Sequence, residues 1–120
     1  MNELSIAHGL LRDLQQESEK HGVSRVSRVH IRMGSFCTVV PEALTFAFEA
    51  ASEGTVAEGA ELNIAVVPAR GRCDACHIDF DVETDTFVFV CPECGEMAAK
   101  LISGKELEIA LVRGTSRPSG

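Results

Sequence analysis

Two short cysteine pairs constrain this chain of 120 residues more than anything else in it: Cys73-Asp74-Ala75-Cys76 and Cys91-Pro92-Glu93-Cys94. Fourteen residues separate Cys76 from Cys91. A C-x2-C turn places two sulfurs on one side, with backbone N–H groups aimed at them. Two such knuckles at the ends of a hairpin close a tetrahedron of thiolates around one ion. Zn²⁺ suits four thiolates because it has neither redox chemistry nor a d-electron preference for another geometry; iron in a rubredoxin-like site is the chemical alternative. The spacing predicts a structural zinc site of Cys73, Cys76, Cys91 and Cys94 in a zinc-ribbon-like segment. Four thiolates leave no open coordination position, which disfavours catalytic zinc. In a reducing compartment, disulfides are the weaker reading. Cys73 to His77 also fits C-x-x-C-H, the haem c attachment pattern, but that reading needs export and leaves Cys91 and Cys94 unexplained. His77 reads either as a neighbour of the thiolates or as a solvated loop histidine.

The rest of the chain reads as helix and strand. Leu4, Ala7, Leu11 and Leu14, widened by Leu10, make the apolar stripe of a helix over residues 3–21, and His21-Gly22 is its stop signal. Val29, Ile31 and Met33 alternate with Arg28, His30 and Arg32 in a strand over 25–33. Pro41 and Glu42 open a second helix, to about residue 52, with Val40, Leu44, Ala47, Phe48 and Ala51 as its buried stripe. Leu62, Ile64 and Val66 share one face of a strand over 61–67, which Pro68 ends. Two β-like runs, 78–82 and 87–90, lie within the cysteine segment. A last strand carries Leu107, Ile109 and Leu111 on one face and Glu106 and Glu108 on the other.

The predicted fold class is α+β: two helices packed on a three-stranded sheet, with an inserted zinc-ribbon-like domain. Residues 1–69 and 105–113 make the α+β domain, 70–104 the insert, and 114–120 a disordered tail. The insert has too few apolar residues for a core of its own, so something else must hold it together. The basic face of the first strand is expected to pair across the sheet with Glu106 or Glu108. Cys37, the fifth cysteine, has no His or Asp beside it to form a dyad and reads as a buried or idle thiol rather than a nucleophile.

A net charge of -7 argues against binding a phosphate backbone and is compatible with handling cations or docking to basic protein surfaces. Each thiolate carries one negative charge, so four around one Zn²⁺ make the chain two charges more negative still. There is no apolar run long enough to span a membrane. Met1-Asn2-Glu3-Leu4-Ser5 lacks a basic n-region and an apolar h-region, so the expected location is the cytoplasm.

Several stretches carry a family resemblance: Glu3-Leu4-Ser5-Ile6, Val39-Val40-Pro41-Glu42 followed by Phe46-Ala47-Phe48, Glu58-Gly59-Ala60-Glu61-Leu62, the two knuckles, and Ser103-Gly104-Lys105-Glu106-Leu107. In this order and spacing, over about residues 1 to 112, the chain resembles the HypA/HybF family of hydrogenase nickel-incorporation proteins. The resemblance implies a cytoplasmic metallochaperone, not an enzyme. Such a protein delivers Ni²⁺ to the [NiFe]-hydrogenase large subunit, in some bacteria also serves urease, and works with a GTPase of the HypB type. It also implies a nickel-binding α+β domain, a zinc domain, and nickel held at the N-terminus through a Met-His-Glu start. This chain begins Met1-Asn2-Glu3, so an amide stands where the imidazole is expected. Carried over residue by residue, the nickel site is Met1, Asn2 and Glu3. The Met1 α-amine has a pKa of about 7.7–8.0, and the backbone amides of Asn2 and Glu3 are further donors. The Asn2 amide oxygen is a poorer ligand than imidazole, and weaker nickel binding is expected. Asn2 also suits a helix N-cap, and His8 reads as a solvated helix residue. The alternative function is a zinc-ribbon adaptor that docks without binding nickel.

Overall fold

The computed structural model describes residues 2–83, 89–96 and 100–116. Helix α1 runs Glu3–His21. Asn2, in extended conformation, caps it: its Oδ1 accepts from the N–H groups of Leu4 (3.0 Å) and Ser5 (3.3 Å). Gly22, at φ 66, ends it in the left-handed region. Ala7, Leu10, Leu11 and Leu14 are buried as the helical period requires. Leu4, expected in that stripe, is 49% exposed because it lies in the first turn, at the open end of the helix.

Strand β1 (Val23–Gly34) follows. Its alternation holds: Val29, Ile31 and Met33 are buried, and the opposite face carries Arg28 and Arg32. Arg28 pairs with Glu61 at 2.9 Å and Arg32 with Glu108 at 2.7 Å. Glu106 turns back instead and accepts from the Gly104 N–H at 2.6 Å. Helix α2 (Pro41–Ala51) has Pro41 in its first turn and buries Leu44, Ala47 and Phe48. Val40 is its N-cap, half exposed and outside the buried stripe expected for it, because its extended backbone takes it off the helical period. No helix among the described residues is long and apolar enough to cross a membrane.

Strands β2 (Glu61–Val67) and β6 (Leu107–Ser116) complete a three-stranded sheet in the order β2-β1-β6. Within β2, Leu62 and Ile64 are half-buried, whereas Val66 is exposed; in β6, Leu111 is exposed too. The tail expected to be disordered from residue 114 is strand through Ser116. The Ser27 and Ser24 hydroxyls donate to the carbonyls of Arg113 and Thr115, each at 3.2 Å, and hold it there. Residues 117–120 lie outside the described residues.

Three four-residue strands form a second sheet in the order β4-β3-β5: β3 (Arg70–Cys73), β4 (Ile78–Asp81) and β5 (Lys100–Ser103). The run expected over 78–82 is β4. In the run over 87–90, residues 87 and 88 lie outside the described residues, and Phe89 and Val90 are not strand. By compactness the chain divides into two units: residues 1–31, 39–64 and 109–120, and residues 32–38 and 65–108. The second is wider than the expected 70–104 because backbone hydrogen bonds tie distant segments together. Gly34 N–H donates to the Glu106 carbonyl (2.6 Å), Ser35 N–H to Val67 (2.9 Å) and Phe36 N–H to Gly104 (2.8 Å).

Candidate metal centre

The pairing of β3 with β4 sets Arg70 opposite Asp81, Gly71 opposite Phe80, Arg72 opposite Asp79 and Cys73 opposite Ile78. Side chains alternate across a strand, so one face carries ion pairs and the other carries Gly71, Phe80, Ile78 and Cys73. Gly71 leaves space for the Phe80 ring: a Cβ there would stand 2.8 Å from it. Cys73 and Cys91, both 1% exposed, pack with Phe80, with Ile78 and Val82 at the margin. On the charged face Arg70 pairs with Asp81 and Arg72 with Asp79 (3.0 Å). Lys100 and Arg72 both reach Asp74, at 3.2 and 3.9 Å. Asp74 sits inside the first knuckle and Lys100 follows the second, so this pair fastens one knuckle to the strand after the other.

Each knuckle closes through the same backbone bond. His77 N–H donates to the Cys73 carbonyl (2.8 Å), and Gly95 N–H to the Cys91 carbonyl (2.9 Å). The residue after the second cysteine must turn left-handed. Gly95 does so freely at φ 74; His77 does so at φ 57, the one non-glycine with positive φ among the described residues. His77 is exposed, in keeping with its reading as a solvated loop histidine.

The four sulfurs all lie within 4.8 Å of one another. Cys73 Sγ is 3.6 Å from Cys94 Sγ, and Cys76 Sγ is 3.9 Å from Cys91 Sγ. Four sulfurs bound at ~2.3 Å to one tetrahedral ion would lie about 3.8 Å apart, and these two separations fall on either side of that value. None of the cysteines is in a disulfide. Their acidities differ. Cys76 is pushed up to about 12, first by its hydrogen bond with Cys94 and then by burial. Burial opposes ionisation of Cys91, but the N–H groups of Cys94 and Glu93 outweigh it and bring the thiol down to about 7. At Cys94 the Glu96 N–H favours the thiolate, yet the Cys73 and Cys91 thiols and burial prevail and raise it. A divalent cation bound by all four sulfurs would displace the protons they carry. Two buried sulfurs and two more accessible ones suit an ion that holds structure together.

The expected N-terminal residues are arranged otherwise. Met1 lies outside the described residues. The Asn2 side chain is engaged as the helix cap, and Glu3 Oε1 accepts from the Val40 N–H at 3.4 Å. The Glu3 carboxyl is held below its ordinary value, first by its own backbone N–H and then by that of Val40. His8 is exposed on α1. The Cys37 thiol donates to the Glu106 carbonyl at 3.2 Å, which gives it a structural use that sequence did not reveal. Nor did sequence reveal the left-handed His77, whose signal was its match in position to Gly95.

A family model described as "Hydrogenase/urease nickel incorporation, metallochaperone, hypA" matches residues 1–113. A protein of Roseiflexus sp. (strain RS-1) named hydrogenase maturation factor HypA is 42% identical over 110 residues, covering 92% of this chain and 89% of its own. One from Acidithiobacillus ferrooxidans (strain ATCC 53993 / BNL-5-31) with the same name is 38% identical over 109 residues, 91% of this chain and 95% of its own. The solution structure of the Ni metallochaperone HypA from Helicobacter pylori superposes with a TM-score of 0.72 at 20% identity, covering 98% of this chain and 100% of that one, which shows the same fold. On the full-length family match, and with the fold and the four-cysteine centre in agreement, this chain belongs to the HypA family of nickel-incorporation metallochaperones.

Proposed function

We propose that this chain is a cytoplasmic, non-enzymatic carrier that binds Ni²⁺ and delivers it during maturation of [NiFe]-hydrogenase, and in a urease-bearing cell to urease as well. Its partners are a GTPase of the HypB type and the hydrogenase large subunit. The observation that carries this reading is the family match over residues 1–113, beside a cluster of four thiols at tetrahedral spacing. Cys73, Cys76, Cys91 and Cys94 hold Zn²⁺, which cross-links two knuckles that have few apolar neighbours. Nothing is left open on such an ion for catalysis. The zinc knuckles of residues 70–104 belong to the compact unit of residues 32–38 and 65–108, and the other compact unit is the nickel domain.

Nickel binds at Met1, Asn2 and Glu3. The Met1 α-amine is the anchoring donor, and the backbone nitrogens of Asn2 and Glu3 stand at the start of α1, where helical N–H groups have no intrahelical acceptor. Recruiting Asn2 as a ligand competes with its capping of Leu4 and Ser5. Weak, reversible binding follows, which suits a carrier that must release its cargo. The same engagement of Asn2 favours a second reading, in which the chain is a zinc-bearing adaptor without nickel of its own.

Metal titration of the full chain with a free N-terminus separates the two. The carrier reading expects one tightly held zinc and one weaker nickel per chain, with nickel lost when Met1 is extended by further residues. Nickel binding that is absent, or that survives the extension unchanged, sinks the N-terminal assignment. Asn2→His should tighten nickel. For the zinc domain, Cys91→Ser should loosen residues 70–104 while α1 and α2 stay folded.

A further inference from the structure

We propose that the outward face of α2, centred on Phe46, docks a cationic amphipathic segment of a protein partner. Phe46 is 75% exposed, the most exposed large apolar side chain among the described residues. Neighbours on a helix face lie three and four positions away. For Phe46 these are Glu42, Ala43, Glu49 and Ala50, all exposed. The two alanines leave the ring standing clear of the helix, and the two glutamates flank it. Next to this face, sharing Glu42 with it, lies a cleft of about 340 Å³ lined by Pro41, Glu42, Thr45, Leu62 and Ile64, which puts apolar side chains of β2 within the same neighbourhood.

An exposed phenylalanine alone is unremarkable; the charge around it identifies the partner. From residue 33 to residue 69 the sequence contains no Lys, Arg or His, yet it contains Glu42, Glu49, Glu53, Glu58 and Glu61. Glu61 is answered by Arg28. The other four make no ion pair with any described residue; the Arg25 guanidinium lies near Gly59, beside Glu58, and away from Glu42 and Glu49 in the sequence. Glu49, Glu53 and Glu58 line a further cleft of about 290 Å³ past the helix end. An apolar knob flanked by Glu42 and Glu49, neither in an ion pair with a described residue, fits a segment that offers an apolar socket between lysines or arginines. It repels nucleic acid and anionic lipid, and it repels its own copy, because two such faces would oppose glutamate to glutamate. The docking assignment does not depend on the nickel reading. It adds to that reading a place for the partner, since the Val40 N–H at the head of α2 meets Glu3.

The test uses the full, zinc-loaded chain labelled with ¹⁵N. The probe is a synthetic amphipathic Leu/Lys peptide of about five helical turns; a Leu/Glu peptide of the same pattern is the control. The Leu/Lys peptide should produce saturable shifts over residues 42–50 and the Leu/Glu peptide none. Phe46→Ala should weaken binding by about tenfold. Glu42→Lys with Glu49→Lys should reverse the preference between the two peptides. Because Phe46 is outside the core, Phe46→Ala should keep the parent melting temperature, so a lost contact is distinguishable from a lost fold. Unchanged affinity in Phe46→Ala overturns the proposal. So do shifts scattered over other acidic surfaces, and so does a dimer, seen by sedimentation, that Phe46→Ala dissolves.

Discussion

Replacing Gly34 with alanine should destabilise the second unit severely. A Cβ at Gly34 would stand 2.0 Å from both the carbonyl carbon and the oxygen of Gly104, and 2.5 Å from the Lys105 nitrogen. All three are backbone atoms, so no side-chain rotation relieves the clash. Non-bonded heavy atoms settle at about 3.5–4.0 Å; the segments must therefore part by more than ~1 Å. Such a shift stretches the Gly34 N–H bond to Glu106 and the Phe36 N–H bond to Gly104, now 2.6 and 2.8 Å, beyond hydrogen-bonding reach. Two lost bonds at about 1 kcal/mol each, with about 1–3 kcal/mol for overpacking, give a loss of about 3–5 kcal/mol. For a chain of this size that is a fall in Tm of about 12–20 °C. Thermal melts of the zinc-loaded protein measure it, with Gly9→Ala as the control. Position 9 lies inside α1 with nothing within 4 Å of its Cβ, and alanine there should add about 1 kcal/mol. A Gly34→Ala protein within about 1 kcal/mol of the parent would refute the close approach of the two backbones.

Three further outcomes are expected. Asn2→Ala should cost α1 about 1 kcal/mol by removing its cap, read as a lower Tm; an unchanged Tm would show that the Leu4 and Ser5 N–H groups are satisfied by water. Glu3 and Glu106 both have carboxyls lowered from 4.5 by backbone N–H groups, their own first and then those of Val40 and Gly104. The stability they contribute is complete above about pH 4.5 and fades as pH falls through their lower folded values. Glu3→Gln with Glu106→Gln should therefore flatten the acid limb of the stability profile, and an unaltered limb counts against those hydrogen bonds. His77→Val should lower Tm by the ~1–2 kcal/mol that a left-handed backbone costs such a side chain, whereas His77→Gly should not; equal melts for the two would show that the knuckle does not need that conformation.

The two long helices, the first two long strands and the four clustered cysteines were legible in the sequence because each carries a local signal. Period and stop residues mark α1, alternation marks β1, and Pro41 marks the start of α2. Strands β3 and β5 carry no such signal. Arg70-Gly71-Arg72-Cys73 has no apolar alternation, and it becomes a strand by pairing with residues on either side of it. The wider second unit was illegible for the same reason: Gly34, Ser35 and Phe36 join it through backbone N–H groups, which have no side-chain identity to read. The strand to Ser116 was missed because its residues are small and polar, and hydroxyl bonds from Ser24 and Ser27 hold it. At the N-terminus the sequence offered Asn2 both as a cap and as a poor ligand, and the cap is the role the structure shows it filling.

The chain passes between its two units at four points, and this bears on how such proteins are recombined. The metal module is not a bead on a string that can be lifted out as one piece. A chimera that exchanges only residues 70–104 with a relative would seat a foreign ribbon against a resident Gly34–Phe36 segment, whose amides must find carbonyls at Val67, Gly104 and Glu106. An exchange of residues 32–38 together with 65–108 transplants both sides of that seam. Interlaced inheritance of this kind ties the short segment 32–38 to residues 65–108, so within the second unit these two stretches diverge in sequence only as fast as their shared backbone seam allows.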